Sequence, residues 1–401
     1  MQYISLFSGI GGLESKEIQP IIACEKNKAC FDYLEKKFLN TELIDDVKTL
    51  TKKTFVIPKV DIVTGGWPCQ DISVGGTQKG FNGEHSVLFY ELLKVAKKAK
   101  AELIIAENVP NLLSIEKGAV FTSVLDELSA SGYKYISWRL LNSREFNLPH
   151  QRRRVFIFAS KTEQTAKNLF NPINIKIKKQ KIDLKVSGFY HTAGTHSICY
   201  SENFVPTLKV SGSGPAVFYN NTIRRLTASE SLKLQGFKPS QFKNIPMSHI
   251  FAMTGNAVSK PIGEFLFNSV NIDVMNLNKH PLNSRELLGS GYSKPKTFPQ
   301  NGFYKKGAIY EVSMPEKKLC SNLGDFIDTT CNQFLSATAI LGILRRTSKA
   351  EKQINHELLK AMIAHISQEA LENEIGKENV PKLFNISKYY EEISDLEELS
   401  F

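Results

Sequence analysis

The sequence is poor in cysteine, and the few cysteines that it has are widely spaced. The 401 residues include six of them, at positions 24, 30, 69, 199, 320 and 331. No two form a Cys-x-x-Cys pair, so a zinc site is not expected, and the set is too sparse for a disulfide framework. Neither a structural metal nor disulfide bonds are therefore expected to hold the fold.

Long apolar segments and acidic residues are also in short supply. No uninterrupted run of about 18 apolar residues occurs, so we expect no membrane span. The N-terminus enters a strand pattern without a basic, signal-like segment, which favours a cytoplasmic protein. The 51 basic residues outnumber the 40 acidic ones and give a net charge of +11. Such an excess favours a polyanionic partner through steering and counterion release.

The first 160 residues alternate short apolar runs with segments of helical spacing. This alternation is typical of an α/β fold with a mostly parallel, doubly wound, Rossmann-like sheet covered by helices on both faces. Strands are predicted at Tyr3–Phe7, Ile21–Glu25, Leu43–Asp46, Val60–Thr64, Leu103–Ala106, Ile136–Leu141 and Val155–Ala159. Helices are predicted at Lys28–Phe38, Val87–Lys98 and Val120–Ser129.

A glycine-rich stretch, Gly9-Ile10-Gly11-Gly12, follows the first predicted strand. Ligands of such sheets bind at the carboxyl ends of strands, and glycines let a ligand approach the backbone closely. A helix is predicted directly after the stretch, and its N-terminus would favour an anionic group. Glu25 ends the second predicted strand, where an acidic side chain would bind a ribose, and Asp46 ends the next one. The set indicates a nucleoside-containing cofactor; the alternative is a tight turn with two solvated acids.

Other reactive side chains follow further strands. Cys69, in a Gly-Trp-Pro-Cys-Gln turn, stands where a substrate could reach its thiolate. Glu107 ends another strand, and if the two strands are neighbours, both side chains face one crevice. Arg152 and Arg154 alternate before a later strand and can point the same way. A run of arginines is more often a solvated patch, and that reading stays open.

In order along the chain, these motifs resemble those of the DNA cytosine-5 methyltransferases. The resemblance covers about residues 1–270. Within the family, the chain resembles the bacterial and phage enzymes of restriction–modification systems. The motifs are Phe7-Ser8-Gly9-x-Gly11-Gly12, Gly66-Trp67-Pro68-Cys69-Gln70, Glu107-Asn108-Val109, Arg152-x-Arg154 and Gly255-Asn256-x-Val258. The resemblance implies that the chain binds S-adenosylmethionine and double-stranded DNA, and it implies no metal.

The resemblance also implies a role for each matching residue. Cys69 is the nucleophile, Glu107 hydrogen-bonds cytosine N3 and the exocyclic amine, Arg154 donates to the base oxygen, and Arg152 helps to orient the site. Gln70 and Ser73, in the loop after the nucleophile, and Asn108 are implied at the substrate. The residues implied at the cofactor are Phe7, Gly9, Ile10, Gly11, Gly12, Glu25 on the ribose, Asp46 near the adenine amino group, Pro68, Leu88, Asn256 and Val258.

The chemistry of cytosine explains these residue types. Addition of a thiolate at C6 makes C5 electron-rich, which divides one difficult methyl transfer into easier steps. A protonated carboxyl at N3 and an arginine at O2 stabilise charge as it develops on the ring. Because C6 is not accessible in a stacked duplex, the base must be flipped out. Three positions depart from the pattern: Lys26 replaces a common aromatic, His150 a common glutamine, and Ala257 a frequent serine.

The resemblance divides the chain into three parts. Residues 1–162 and 246–275 form the catalytic domain, 163–245 the target-recognition domain, and 280–401 a C-terminal extension expected to be mainly helical. Lysines between 161 and 185 suit phosphate contacts, and His191, Thr192, His196 and Asn203 are candidates to read bases or to form a surface loop. The extension is either a structural appendage or a supplementary DNA-contacting lobe.

Two other functions stay open at this stage. One is an RNA cytosine-5 methyltransferase on the same scaffold, although Pro68-Cys69-Gln70 favours DNA over RNA. The other is an inactive DNA-binding regulator, against which the intact Cys69 and Glu107 argue. We expect a nucleoid-associated monomer, with a separate cognate restriction endonuclease as a candidate partner.

Overall fold

A computed structural model describes most of the chain. The described residues are 1–68, 87–176, 181–192, 197–210, 214–271, 284–288, 295–320, 322–331, 334–350, 353–366 and 373. The predicted nucleophile Cys69 and the predicted substrate residues Gln70 and Ser73 lie outside them, as does His196. Within these ranges no helix is long and apolar enough to cross a membrane.

Two sheets and the helices around them form the described fold. The strands are β1 (Tyr3–Leu6), β2 (Ile22–Cys24), β3 (Glu42–Ile44), β4 (Ile62–Gly66), β5 (Leu103–Asn108), β6 (Tyr135–Asn142), β7 (Arg153–Ser160), β8 (Ser187–Thr192), β9 (Ser197–Glu202), β10 (Ala216–Tyr219), β11 (Thr222–Arg225), β12 (Ser284–Leu288), β13 (Asn301–Lys305) and β14 (Ala308–Val312). The helices are α1 (Lys28–Lys37), α2 (Val47–Thr51), α3 (Val87–Lys98), α4 (Ala119–Ala130), α5 (Glu163–Lys167), α6 (Ala228–Leu234), α7 (Met247–Asn256), α8 (Lys260–Asn271), α9 (Ala337–Lys349) and α10 (His356–His365).

The expected parallel α/β sheet is confirmed for the first five strands. They lie in the order β3-β2-β1-β4-β5, and each neighbouring pair is parallel. Alternate residues of β5 pack on opposite faces: Ile104 and Ala106 belong to a core with α3 and α4, whereas Leu103 and Ile105 belong to a core with α8. A strand that is buried on both faces reads as a continuous apolar run, which explains why the sequence predicts these strands so well.

The other half of the main sheet is antiparallel, which the sequence did not predict. Beyond β5 the order continues β7-β6-β13-β14-β12, and every pairing there is antiparallel. The last three of these strands come from the C-terminal extension, and β13 pairs with β6 over Asn301–Lys305. The extension, which was expected to be mainly helical, therefore also completes the catalytic sheet.

The helix that was predicted directly after Gly12 is absent, and that prediction was wrong. The first described helix is α1, which begins only at Lys28. The Ser15 hydroxyl accepts hydrogen bonds from the amides of Glu17 (3.1 Å) and Ile18 (3.2 Å). A serine that binds nearby amides in this way competes with helix formation. Gly12 instead packs against the backbone carbonyl of Val258.

The second sheet has the order β11-β10-β8-β9 and lies within the expected recognition region. One of its faces packs on α9 and α10, through Phe189 and Ile223 on the sheet and Leu344 and Met362 on the helices. The boundary expected at residue 163 differs from the packing, because α5 lies on β6 and β7 of the main sheet. The extension therefore contacts both sheets.

Candidate active site

The carboxyl ends of three neighbouring parallel strands meet at one edge of the main sheet. β1 leads into Phe7, β4 leads into Trp67 and Pro68, and β5 ends at Glu107 and Asn108. The register places Gly65 of β4 beside Leu6 and Gly66 beside Glu107. The sequence predicted this convergence only if the strands were neighbours, and they are.

The glycine turn after β1 has an unusual backbone. Phe7, Gly9 and Gly11 have φ values of 54°, 56° and 74°, a backbone region that residues other than glycine seldom adopt. The amide of Gly9 donates a hydrogen bond of 2.7 Å to Glu25 Oε2, while Oε1 accepts from the Asn27 amide at 2.7 Å. Glu25 therefore holds the turn, and its carboxylate has lone pairs left for a ligand hydroxyl.

The glycine turn has open space on one side. A side chain added at Gly9 would meet no atom within 4 Å, whereas one added at Gly12 would meet the Val258 carbonyl. The turn is thus open on one side and packed on the other.

Three other residues implied at the cofactor lie at the ends of helices. Asp46 caps α2, since its Oδ1 accepts from the Lys48 amide at 2.9 Å. Leu88 lies half-buried in the first turn of α3, and Asn256 is exposed at the end of α7.

Glu107 and Arg154 form an ion pair at the end of β5. Arg154 Nε lies 3.1 Å from Glu107 Oε1, and the two side chains are 13% and 16% exposed. Burial raises the pKa of Glu107, although the charges of Arg154 and Arg152 act in the opposite direction. A carboxyl group with a raised pKa is able to carry a proton to a ring nitrogen.

Gly66 leaves room for this carboxylate. A Cβ at position 66 would lie 2.6 Å from Glu107 Oε2, closer than real Cβ contacts come. The glycine before the Trp-Pro-Cys turn therefore serves the neighbouring strand as well as its own turn.

Arg152 connects the site to the Gly255-Asn256 motif. Its side chain is buried and donates to the carbonyls of Gly255 (3.0 Å) and Asn256 (3.1 Å). The arginine thus fixes the end of α7, two residues before Val258, whose carbonyl packs against Gly12 of the glycine turn. The structure places Arg152 as a link between motifs, and Arg154 as the arginine that contacts Glu107.

Asn108 holds the turn that leads to Cys69. It is buried, and its Nδ2 donates to the carbonyl of Trp67 at 3.3 Å, while its Oδ1 accepts from the Val109 amide at 2.8 Å. Pro68 follows Trp67 as the last described residue before Cys69. The side chain that was expected at the substrate is thus engaged with the backbone of the segment that leads to Cys69.

His150 connects the arginine segment to the recognition region. It is fully buried, and its Nε2 accepts a hydrogen bond of 3.0 Å from the Leu208 amide. Burial and the charges of Arg152 and Arg154 lower its pKa well below the usual range, so the ring is neutral. Thr207 Oγ1 adds a hydrogen bond of 2.6 Å to the carbonyl of Gln151.

One residue that the sequence analysis missed also contacts the glycine turn. Lys37 Nζ donates to the carbonyls of Ile10 (3.0 Å) and Gly11 (3.1 Å). Its spacing from Tyr33 and Leu34, four and three residues earlier, places it on the apolar face of α1. That spacing was the signal that could have found it.

Comparisons with known proteins agree with these motifs. Residues 1–193 match the family described as C-5 cytosine-specific DNA methylase. The type II methyltransferase M.Bsp6I of Bacillus sp. (strain RFL6) is 29% identical over 310 residues, which cover 65% of this chain and 96% of that protein. The type II methyltransferase M2.BsuMI of Bacillus subtilis (strain 168) is 29% identical over 297 residues, 66% of this chain and 74% of that protein. Among solved structures, a Dnmt2 methyltransferase of S. pombe aligns with 68% of this chain and all of its own at 16% identity and a TM-score of 0.48.

Proposed function

We propose that this chain, which belongs to the C-5 cytosine-specific DNA methylase family, transfers a methyl group from S-adenosylmethionine to C5 of a flipped-out cytosine through a covalent Cys69 intermediate. The observation that carries the proposal is the register that puts Gly66 beside Glu107. Cys69 follows Gly66 by three residues in the sequence, and β4 lies between β5 and β1, the strand that leads into the glycine turn. This arrangement supports a common crevice in which the Cys69 thiol, the Glu107 carboxyl group and the cofactor would meet.

The cofactor would supply an electrophilic methyl group to this crevice. Glu25 would accept hydrogen bonds from the ribose hydroxyls, because its two oxygens are already oriented by the amides of Gly9 and Asn27. Phe7, Ile10 and Val258 would line the pocket around the turn. Asp46 keeps its Oδ2 for the adenine amino group while Oδ1 caps α2.

The base would then displace the present ion-pair contact. Cytosine N3 and the exocyclic amine would bind Glu107, whose raised pKa favours the protonated carboxyl, and Arg154 would turn its guanidinium to O2. The Cys69 thiolate would add to C6, so that C5 becomes nucleophilic and accepts the methyl group. Loss of the C5 proton and expulsion of the thiolate would restore the aromatic ring and the free enzyme. An unstacked base is required, because the carboxyl and the sulfur approach the ring from positions that a duplex covers.

The test is a pair of cysteine variants on duplex DNA. Cys69→Ser should abolish methyl transfer and leave S-adenosylmethionine binding intact, because only the thiolate adds to C6. The control, Cys331→Ser, changes a partly exposed cysteine of the extension and should keep the wild-type rate. DNA that carries 5-fluorocytosine at the target should trap a protein–DNA adduct, since the last elimination needs a C5 proton. An adduct on another cysteine, or an active Cys69→Ser enzyme, would overturn the proposal.

We further propose that the chain is the modification enzyme of a restriction–modification system. Support comes from relatives that are named as type II methyltransferases. Mapping 5-methylcytosine across the DNA of an expressing host should reveal one short sequence that is methylated nearly everywhere. Methylation at scattered, unrelated cytosines, or in RNA only, would contradict this role.

A further inference from the structure

The glycine turn lacks the usual partner for two of its carbonyl groups. In an α-helix, the carbonyls of residues 10 and 11 would accept hydrogen bonds from the amides of residues 14 and 15. No helix follows the turn, so these bonds are not made. Buried carbonyls need a donor, and Lys37 Nζ provides one to Ile10 at 3.0 Å and to Gly11 at 3.1 Å.

The ammonium of Lys37 lies among aromatic rings, and its side chain is partly buried. It is 5.0 Å from the ring centroid of Phe38, 5.6 Å from that of Tyr33 and 5.9 Å from that of Phe237. Burial lowers the pKa of Lys37 to about 8, against the opposing effect of Glu14. A charge held in such surroundings interacts strongly with the few polar groups that it contacts.

Glu14 lies next to this ammonium, and burial raises the pKa of its carboxyl group while the charge of Lys37 acts in the opposite direction. The carboxylate is buried, and its Oε1 accepts a hydrogen bond of 2.6 Å from Ser5 Oγ. Its Oε2 has no hydrogen-bond partner among the described residues. A side chain added at Gly11 would meet both Lys37 Nζ and Glu14 Oε2, so the two charged groups flank the same glycine. Gly11 thus has no side chain at the point where this pair is buried.

We propose that Lys37, with Glu14 as its counter-charge, is the positioning residue that sets the shape of the S-adenosylmethionine turn. The turn is held at one end by the contact between Gly9 and Glu25 and at the other by the ammonium. Without the ammonium, the carbonyls of Ile10 and Gly11 would lose their hydrogen-bond donor and would rotate toward other donors. The backbone conformation of the turn, and with it the open space beside Gly9, would change. This inference rests on the proposed function, namely that the turn binds S-adenosylmethionine.

The main test replaces the ammonium by an apolar group of similar length. Lys37→Met should raise the Kd for S-adenosylmethionine, measured by calorimetry, about tenfold or more, since two charge-assisted hydrogen bonds are lost. The rate of single-turnover transfer at saturating S-adenosylmethionine, and the Kd for duplex DNA, should stay within about twofold of wild type. Lys37→Arg, which keeps donors for both carbonyls, should recover much of the affinity. The matched control is Lys36→Met, an exposed neighbour on α1, and it should bind like wild type.

A pH profile separates this role from a merely structural one. The charged groups that act on Lys37 are Glu14 and Lys260, and Tyr33 is the titratable ring beside it. As pH rises past about 8, the ammonium becomes an amine, its bonds to the carbonyls weaken, and affinity for S-adenosylmethionine should fall. Glu14→Gln removes the charge that favours the ammonium, so the same fall should occur at lower pH.

Each outcome bears on one proposal. An unchanged Kd in Lys37→Met, or an equal loss of transfer rate at saturating S-adenosylmethionine, overturns the positioning role. If Lys37→Met does not fold, the pH profile of Glu14→Gln decides, and a profile identical to that of wild type overturns it. A wild-type protein that binds no S-adenosylmethionine would instead contradict the proposed function.

Discussion

Among the described residues, one arginine–glutamate pair lies partly buried at the end of β5, and another lies fully buried next to the second sheet. Glu107 and Arg154 are 13% and 16% exposed and meet through Nε and Oε1 at 3.1 Å. Arg224 and Glu230 are 0% and 1% exposed. They meet through two parallel contacts, Nη1 to Oε2 at 3.0 Å and Nη2 to Oε1 at 2.7 Å. The residue types are the same, whereas the geometry differs.

In the Arg224–Glu230 pair next to the second sheet, the polar atoms of both side chains have hydrogen-bond partners. Arg224 also donates to the hydroxyl of Tyr219 (3.0 Å) and to the carbonyl of Asp328 (2.8 Å). Glu230 accepts from the amides of Thr227 and Asp328, both at 2.8 Å. The hydrogen bonds and the carboxylate raise the pKa of Arg224 despite burial. This network joins β11, α6 and the extension, and nothing in it is left for a ligand.

The Glu107–Arg154 pair at the end of β5 makes fewer hydrogen bonds with the described residues than the Arg224–Glu230 pair does. Its carboxyl group has a raised pKa and contacts Arg154 through Oε1 and Nε, whereas the other pair meets through two parallel contacts. A saturated pair costs much to break and supports structure, whereas an unsaturated pair at a strand end can exchange its partner for a substrate. The difference teaches that satisfaction of hydrogen bonds, rather than burial alone, separates the chemical pair from the structural one.

The largest effect is expected from a change in the Glu107–Arg154 pair. Glu107→Gln should slow methyl transfer about 10²- to 10⁴-fold, because an amide cannot provide the proton that a carboxyl group provides at N3. Single-turnover kinetics on duplex DNA measures the rate, and urea unfolding should show a stability within about 1 kcal/mol of wild type. A rate near that of wild type would place Glu107 with the structural pair.

A smaller effect is expected from the matching change in the structural pair. Glu230→Gln should lower the free energy of unfolding by about 3–5 kcal/mol, because it leaves the buried guanidinium of Arg224 without its counter-charge. The folded fraction should still transfer methyl groups within about threefold of wild type, as single-turnover kinetics at low temperature can measure. A large loss of rate with unchanged stability would reverse the distinction between the two pairs.

The smallest effect concerns the pH dependence of stability. The pKa of Glu107 is raised in the folded protein, so its contribution to stability is fully present below the unfolded-state pKa and is lost as pH rises through the folded-state value. Compared with Glu107→Gln, the wild-type protein should therefore become progressively less stable from acidic to alkaline pH. Urea unfolding of both proteins at several pH values measures the difference, and a constant difference would contradict the raised pKa.

The sequence predicted the parallel half of the main sheet well, because continuous apolar runs and the residues that follow them are local signals. Glu25 and Glu107 were placed at strand ends for that reason. The order of the strands, which brings Gly66 beside Glu107, depends on long-range pairing that no local pattern contains. The helix expected after Gly12 failed because the Ser15 hydroxyl binds the nearby amides.

The strands of the extension had a signal that was not used. Lys306 and Gly307 join β13 to β14 and have φ values of 50° and 92°, the conformation of a two-residue hairpin turn with both central residues left-handed. A glycine at the second position of such a turn is a recognisable hairpin feature. The partner of the hairpin, β6, lies about 160 residues earlier, so its addition to the main sheet could not be read from the local pattern.

The extension packs on both sheets, and this has a consequence for exchanging DNA specificity between related enzymes. One face of the second sheet is covered by the extension, because Phe189 and Ile223 pack on α9 and α10. These helices come more than a hundred residues later in the chain. A foreign recognition segment grafted between β7 and α6 would meet helices shaped for other side chains. Grafts should therefore succeed when residues 335–366 travel with the segment, so that specificity in this protein is inherited as two separated pieces of sequence.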